Sequence, residues 1–343
     1  MPIVQAPMAG GPSTPALARA VARAGGLGFL GAGYLSVEQL ERDVAAVRVE
    51  THRFGVNVFA GGGSQGDPGE VDAYAARLRP EADRAGVELG TARFDDDGFA
   101  DKVALLVHDP VAVVSFTFGV PPPDTITQLQ EVGSEVWMTV TSPAEAAAAA
   151  AAGADVLIVQ GVEAGGHRGV FADDDSQSDL TLLAALQLIG GTVHLPLVAA
   201  GSIMTGAALA AVLVAGASAG QVGTAYLRTP EAGTAPAQRE ATAGDQPTVL
   251  TRAFSGRTAR GIANRFHAAY GTRAPRAYPE VNHVTAPLRA HGRAVGDADL
   301  INLWAGQGHT LATALPAEDL TRRLAADAHR AISAWSDRLG AGA

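Results

Sequence analysis

The chain has no cysteine, so disulfides, thiolate nucleophiles and cysteine-ligated zinc are excluded. Its single lysine, Lys102, lies in an ordinary helical stretch and offers no support for Schiff-base chemistry. Charged residues make up only 17%, and the balance is acidic, with a net charge of −10. That sign speaks against nucleic acid and anionic membrane surfaces as partners. No apolar run reaches the length of a bilayer span before Gly, Pro or charge interrupts it. The start, Met1-Pro-Ile-Val-Gln-Ala-Pro-Met8, lacks the basic and long apolar regions of a secretory signal. A cytoplasmic location is expected. Nine histidines are present, but none forms His-Glu-x-x-His or an i,i+4 pair, so no metal site is expected. Asp173-Asp174-Asp175 lacks the spacing of a calcium loop and reads as a solvated acidic turn. His52, His108 and His194 fall at helix ends or strand entrances and read as capping or surface groups.

What the chain does have is glycine, 41 of 343 residues, and an apolar content of 47% that easily supplies a core. One pattern recurs. An Ala-rich helical segment ends in Ala-Gly and leads at once into an apolar strand, as at Ala24-Gly25, Ala152-Gly153 and Ala215-Gly216 and, more weakly, Ala85-Gly86. Glycine past a helix end is the usual left-handed cap. Short apolar runs entered this way read as buried parallel strands. Eight strands are predicted: Ile3–Ala6, Leu27–Leu30, Phe54–Phe59, Val111–Phe116, Val136–Val140, Val156–Gln160, Leu197–Ala200 and Ala219–Val222. Helical stretches separate them, among them one capped by Ser142, with Pro143 at its first position and Glu145 completing a capping box. Repeated βα units make this an α/β protein, a (β/α)8 TIM barrel, which needs about 250 residues. The excess falls after the last strand. The expected organisation is a barrel over residues 1–229, a small, mainly helical insertion or lid over 230–300, and a C-terminal helical segment over 301–343 that packs on the barrel. The competing doubly wound fold is suggested by Gly26-Leu27-Gly28-Phe29-Leu30-Gly31, which matches G-x-G-x-x-G. That fingerprint needs a strand before it and a helix opening within it, whereas here the motif is itself the strand.

Functional groups of a parallel barrel sit at the C-terminal strand ends. After the seventh and eighth strands come Ala200-Gly201-Ser202 and Gln221-Val222-Gly223-Thr224, bare backbone N–H groups with hydroxyls where barrels grip phosphate. Asn57, Gln160 and Gln221 offer the paired donors and acceptors that suit the edge of an isoalloxazine ring. Pro7-Met8-Ala9 would lie under a flat ring. This inventory fits FMN better than a metal. His167 stands in the glycine-rich loop Gly165-Gly166-His167-Arg168-Gly169 beyond the sixth strand, where little bulk shields it, and is the candidate catalytic residue.

The residues together resemble the nitronate monooxygenase family, formerly 2-nitropropane dioxygenases, which are FMN-dependent barrel enzymes. The likeness runs through Gln5-Ala-Pro-Met-Ala-Gly-Gly11, Phe54-Gly-Val-Asn-Val-Phe59, Ser115-Phe-Thr-Phe-Gly119, Gln160-Gly-Val-Glu-Ala-Gly-Gly-His167, Ala199-Ala-Gly-Ser-Ile203, Gln221-Val-Gly-Thr-Ala225, Phe254-Ser-Gly-Arg257, Asn264-Arg-Phe266 and Leu303-Trp-Ala-Gly-Gln-Gly308. The resemblance implies FMN contacts from Met8 and its neighbours, Asn57, Gln160, Gly165, Gly201 and Gln221 through Thr224. It implies oxidation of alkyl nitronates by O2 to carbonyl compounds and nitrite, by a monomer or homodimer. Some members of the family hold a catalytic histidine at the end of the fifth strand. Here Met138 or Thr139 takes that place, which leaves His167 as the active-site histidine. The Glu-Ala-Gly-Gly-His piece is also similar to FMN-dependent enoyl-acyl-carrier reductases, which use NAD(P)H. A flavin-binding barrel without turnover is the third reading.

Overall fold

In the computed structural model of the chain, which describes residues 1–61, 66–174 and 178–340, the predicted strands form one sheet closed on itself. Its strands are β1 (Ile3–Gln5), β2 (Gly28–Gly31), β3 (Phe54–Phe59), β4 (Val113–Thr117), β5 (Glu135–Val140), β6 (Val156–Gln160), β8 (Leu197–Ala200) and β9 (Ala219–Val222), all pairing in parallel. The last strand returns to β1, and a bridge between Val4 and Leu27 joins β1 to the entrance of β2. Gln5 N–H donates to the Leu27 carbonyl (2.8 Å), and Leu27 N–H donates to that of Ile3 (3.0 Å). The fold is the expected (β/α)8 barrel.

Side chains alternate across each strand. The inward set packs the lower barrel with Phe29, Val113, Trp137, Val156, Ile158 and Val198. Phe29 and Trp137 lie 5.8 Å apart, ring to ring, and Phe29 occupies the space that a side chain at Gly55 would need. The outward set meets the helices: α1 (Pro15–Arg23), α2 (Val37–Arg48), α4 (Phe99–His108), α5 (Pro123–Glu131), α6 (Pro143–Ala151), α7 (Leu182–Gly190), α8 (Gly206–Val214) and α12 (Ala317–Gly340). The C-terminal helix α12 lies against both α8 and α1 and takes the eighth place in the ring. Gly206 allows the close approach of α8 to α12, because a Cβ there would strike Asp327 and the Ala328 backbone.

Two local expectations change. Ser142 does cap α6, accepting from Glu145 N–H at 3.2 Å, but the Glu145 carboxylate does not close a capping box. It accepts instead from Thr141 N–H (2.6 Å), Thr141 Oγ1 (2.8 Å) and Phe171 N–H (2.8 Å), three donors that outbid one. Asp173 is not a solvated turn residue. It is buried against Arg252, accepting from Nε and Nη2 (both 3.0 Å), and from Thr258 N–H (2.9 Å) and Oγ1 (2.7 Å). Asp175, the last of that run, lies outside the described residues.

The insertion contains α9 (Pro236–Ala243), α10 (Arg265–Tyr270) and α11 (Glu280–Val295), and is helical for the most part as expected. It also carries an antiparallel hairpin, β10 (Thr248–Thr251) and β11 (Ala259–Ile262). The hairpin pairs with a two-residue strand, β7 (Gly166–His167), so His167 is not in a free loop. The backbone of that segment is polar and half-buried, and β11 satisfies it. The cap also draws on an earlier part of the chain. Helix α3 (Pro68–Ala85), between β3 and α4, packs Val71, Tyr74, Leu78 and Ala82 against Phe254, Phe266, Val281, Val284 and Leu288. The Tyr74 hydroxyl donates to the Ala253 carbonyl (2.7 Å). The buried Glu81 carboxylate takes Arg265 Nη1 and Nη2 at 2.9 and 2.6 Å.

Gly28 begins β2 directly beneath α1. A methyl group there would stand inside contact distance of the Ala18 backbone carbonyl, which cannot move aside. Gly28→Ala should lower unfolding stability by about 1–3 kcal/mol. Urea denaturation checks this; an unchanged midpoint would show that α1 can shift freely on the barrel.

Candidate active site

The upper inward positions of the barrel are polar, for the same geometric reason that the lower ones are apolar. Asn57, Thr117, Thr139, Gln160 and Gln221 line a cavity above the apolar plug. Asn57 Nδ2 donates to Ser115 Oγ (2.9 Å) and Thr117 Oγ1 (3.0 Å). Gln221 is buried, and its Oε1 has no partner among the described residues. Gln160 differs. Its amide is committed to its own loop, donating to the His167 carbonyl (3.1 Å) and accepting from Arg168 Nη1 (3.0 Å) and Gly169 N–H (2.8 Å).

Pro7, Met8 and Ala9 form one wall, fixed from below. Met8 N–H donates to Ser13 Oγ (2.7 Å), and Gln5 ties the same turn to Ser13 and to Phe29 N–H. Gly165, Gly166, Ala200, Gly201, Ser202, Gly223 and Thr224 line the cavity as well. Gly201 (φ +137°) and Ser202 (φ +47°) turn the chain sharply after β8; a left-handed serine stores strain, a mark of sites that hold ligands. Gly165 touches the segment after Trp304 so closely that a Cβ would lie 2.5 Å from Gly306 N. Thr224 Oγ1 accepts from that same Gly306 N–H (2.9 Å), leaving its proton for an outside acceptor. Val222, one position from Gln221, is turned the other way into the core behind the barrel. Of the two residues at the end of the fifth strand, Thr139 faces the cavity and Met138 is fully buried among the outer core residues.

His167 stands at the top of this cavity. Its Nε2 lies 2.8 Å from Ser255 Oγ. Phe118, Tyr278 and Trp304 surround its ring, with centroids 5.8, 5.7 and 5.5 Å away. Burial, followed by the nearby guanidiniums of Arg257 and Arg289, lowers its pKa to about 3. Arg257 lies over the Phe118 ring, 4.0 Å from its centroid, and its Nε is buried without a partner among the described residues. Arg289, at the cavity wall, donates Nη2 to the Asn282 carbonyl and Oδ1 (both 2.7 Å) and Nε to Thr285 Oγ1 (3.1 Å); its Nη1 makes no hydrogen bond among the described residues. Neither of these two guanidiniums pairs with a carboxylate among the described residues. The Tyr278 hydroxyl donates to that of Tyr34 (3.2 Å) and joins the cap to the loop after β2.

Ser255, Arg257, Phe118 and Trp304 lie in stretches that carry the family resemblance, yet their role was not legible there. Tyr278 and Arg289 lie outside those stretches. The signal for Arg289 was a basic residue on the mostly apolar face of an amphipathic helix. The spacing Gly216-Ala-Ser-Ala-Gly220 matches a nucleophile elbow, but Ser218 lies between α8 and β9, at the opposite end of the barrel from the cavity, where the strand-to-helix turn of an elbow is missing. Among the described residues there is no cluster of His, Asp and Glu able to hold a metal, and no helix is long and apolar enough to cross a membrane.

A (β/α)8 barrel with an amide- and glycine-lined cavity at its C-terminal face belongs to the class of barrel proteins that carry their active sites at that face. The nitronate monooxygenase family model matches residues 1–327, and the chain belongs to that family. A nitronate monooxygenase of Pseudomonas aeruginosa is 41% identical over 335 residues, covering 94% of this chain and 95% of that one. Another, from Paraburkholderia phytofirmans, is 37% identical over 96% of this chain and 93% of its own length. Among solved structures, a nitroalkane oxidase from Streptomyces ansochromogenes superposes with a TM-score of 0.94 at 48% identity, over 97% of each chain. FabK from Thermotoga maritima superposes with a TM-score of 0.77 at 25% identity, over 98% of this chain and 95% of that one.

His167 is expected to stay neutral throughout the range in which most histidines titrate. Its folded pKa lies below the unfolded value of 6.5, so its contribution to stability is complete above pH 6.5 and is lost as pH falls towards 3. NMR titration of 15N-histidine-labelled protein should show no His167 protonation above pH 5; a step near 6.5 would contradict the closed-in environment.

Proposed function

We propose that the chain is an FMN-dependent nitronate monooxygenase that oxidises alkyl nitronates such as propionate 3-nitronate with O2 to a carbonyl compound and nitrite. The observation that carries this reading is the charge at the cavity top: a neutral imidazole under the influence of the buried Arg257 and the half-buried Arg289, neither paired with a carboxylate among the described residues, in a protein with a net charge of −10. A site of that sign recruits an anion. Thr139, where a base would otherwise stand, cannot deprotonate a neutral nitroalkane, although the Streptomyces relative is called a nitroalkane oxidase.

The residues fit a flavin mononucleotide. Gln221 Oε1, buried and without a partner among the described residues, lacks the partner that a ring edge would supply, and Asn57 lines the same cavity. The cradle at Gly223 lies where a Cβ would stand 3.3 Å from Ala6 Cβ and 3.7 Å from Met8 Sδ, so the bare backbone keeps that ledge free. Gly201, Ser202, Gly223 and Thr224 would hold the terminal phosphate, Pro7-Met8-Ala9 the ring face, and Gly165 and Gly166 the open side beneath His167. Gln160 would serve by holding the loop of Gly169 and His167. When bound, the flavin supplies the electron transfer between nitronate and O2. The protein orients the nitronate oxygens against the His167 imidazole, draws them in with Arg257 and Arg289, and excludes water with Phe118, Tyr278 and Trp304.

Purified protein should release FMN on denaturation and form nitrite from propionate 3-nitronate. Released FAD, or a colourless protein that rejects FMN, would refute the cofactor. NADPH-dependent reduction of a crotonyl thioester without nitrite would favour an enoyl reductase, and neither activity would favour a binding protein. His167→Asn should keep its flavin and lose about 10²–10⁴ in turnover per bound flavin; full turnover would end the catalytic assignment.

A further inference from the structure

The two ring nitrogens of His167 meet different surroundings. Nε2 lies 2.8 Å from Ser255 Oγ. Nδ1 has no hydrogen-bond partner among the described residues, and His167 lines the cavity, so Nδ1 is the nitrogen left for a molecule bound there. A neutral imidazole has one N–H and one lone pair. Which of them faces the cavity depends on Ser255.

The Ser255 hydroxyl has one proton and two acceptors in reach, His167 Nε2 at 2.8 Å and the Arg257 carbonyl at 3.2 Å. The Arg257 N–H approaches Ser255 Oγ at 3.4 Å and occupies a lone pair in either case. If the proton goes to the carbonyl, Nε2 carries hydrogen and Nδ1 faces the cavity as a lone pair. That arrangement suits proton removal from a neutral substrate and repels an anion. If the proton goes to Nε2, Nδ1–H faces the cavity as a donor, which suits nitro oxygens that already carry the charge. The second choice uses the shorter contact. Rings on three sides hold the imidazole plane, so the alternatives differ in tautomer and not in ring orientation. The Tyr278 ring packs on the imidazole, and Arg257 and Arg289 act on it more strongly than the Asp173 carboxylate, which Arg252 already engages; the two cations oppose a second ring proton.

We propose that Ser255 is a positioning residue: it donates its hydroxyl proton to His167 Nε2 and thereby presents Nδ1–H to the substrate, as a donor to an oxygen that carries negative charge. The proposal rests on the substrate reading above only for the charge of the ligand.

The test uses 15N-histidine-labelled holoenzyme, with nitrite as the planar anionic probe. Two-bond 15N–1H spectra should show His167 with a protonated Nδ1 and an acceptor Nε2, and nitrite should sharpen that pattern. In Ser255→Ala the pattern should become a mixture of tautomers. KM for propionate 3-nitronate should rise about tenfold with a smaller change in kcat, as for the loss of one hydrogen bond. Ser255→Thr, which keeps the hydroxyl, should restore both. An Nε2–H pattern in the wild type, or an Ser255→Ala spectrum identical to it, overturns the proposal whatever the activity. A wild type that shows the Nδ1–H pattern but forms no nitrite overturns the substrate reading and upholds the placement of the proton.

Discussion

Closure of the sheet between β1 and β2 is the constraint from which the rest follows. Once Val4 and Leu27 bridge, no strand has a free edge, and every strand must send alternate residues into a space of fixed width. Large apolar side chains fill the lower part of that space. The upper part holds amides and hydroxyls, which would be costly in the plug but are useful where a polar ligand can complete their hydrogen bonds. The cavity is therefore a property of the alternation, with Asn57 two residues above Gly55 and Gln160 two above Ile158.

The cap acts on this cavity through charge and enclosure. It brings Arg257 and Arg289 close to His167, and burial makes each cation's influence on the ring stronger than it would be in water. The desolvation of these groups is offset by carbonyls and hydroxyls and not by carboxylates, which keeps the local sign positive. In a protein that is acidic overall, this difference between the surface and the cavity separates ligands by charge before any contact is made.

The order of strands was legible because the Ala-Gly junctions punctuate the chain, and the inward amides were legible because they fall at strand ends. The two-residue period also explains Val222 and Met138: each neighbours an inward residue, so each must point outward, and the sequence contains that information. Ser255, Tyr278 and Arg289 were not assigned roles because they reach His167 only through packing of the cap, between residues far apart in the chain. The hairpin of β10 and β11 was missed for the same reason. Its partner is the two-residue strand at His167, too short to show any periodicity of its own.

The cap is stitched from two distant stretches, with α3 leaving the barrel after β3 and the remainder after β9. It is consequently not a module that could be excised or exchanged. Removing residues 230–300 would strip the cover from Val71, Tyr74 and Leu78 and leave an apolar stripe on a helix the barrel still carries. A change of bulk on the α3 face that meets the late segment therefore calls for a matching change in the late segment itself.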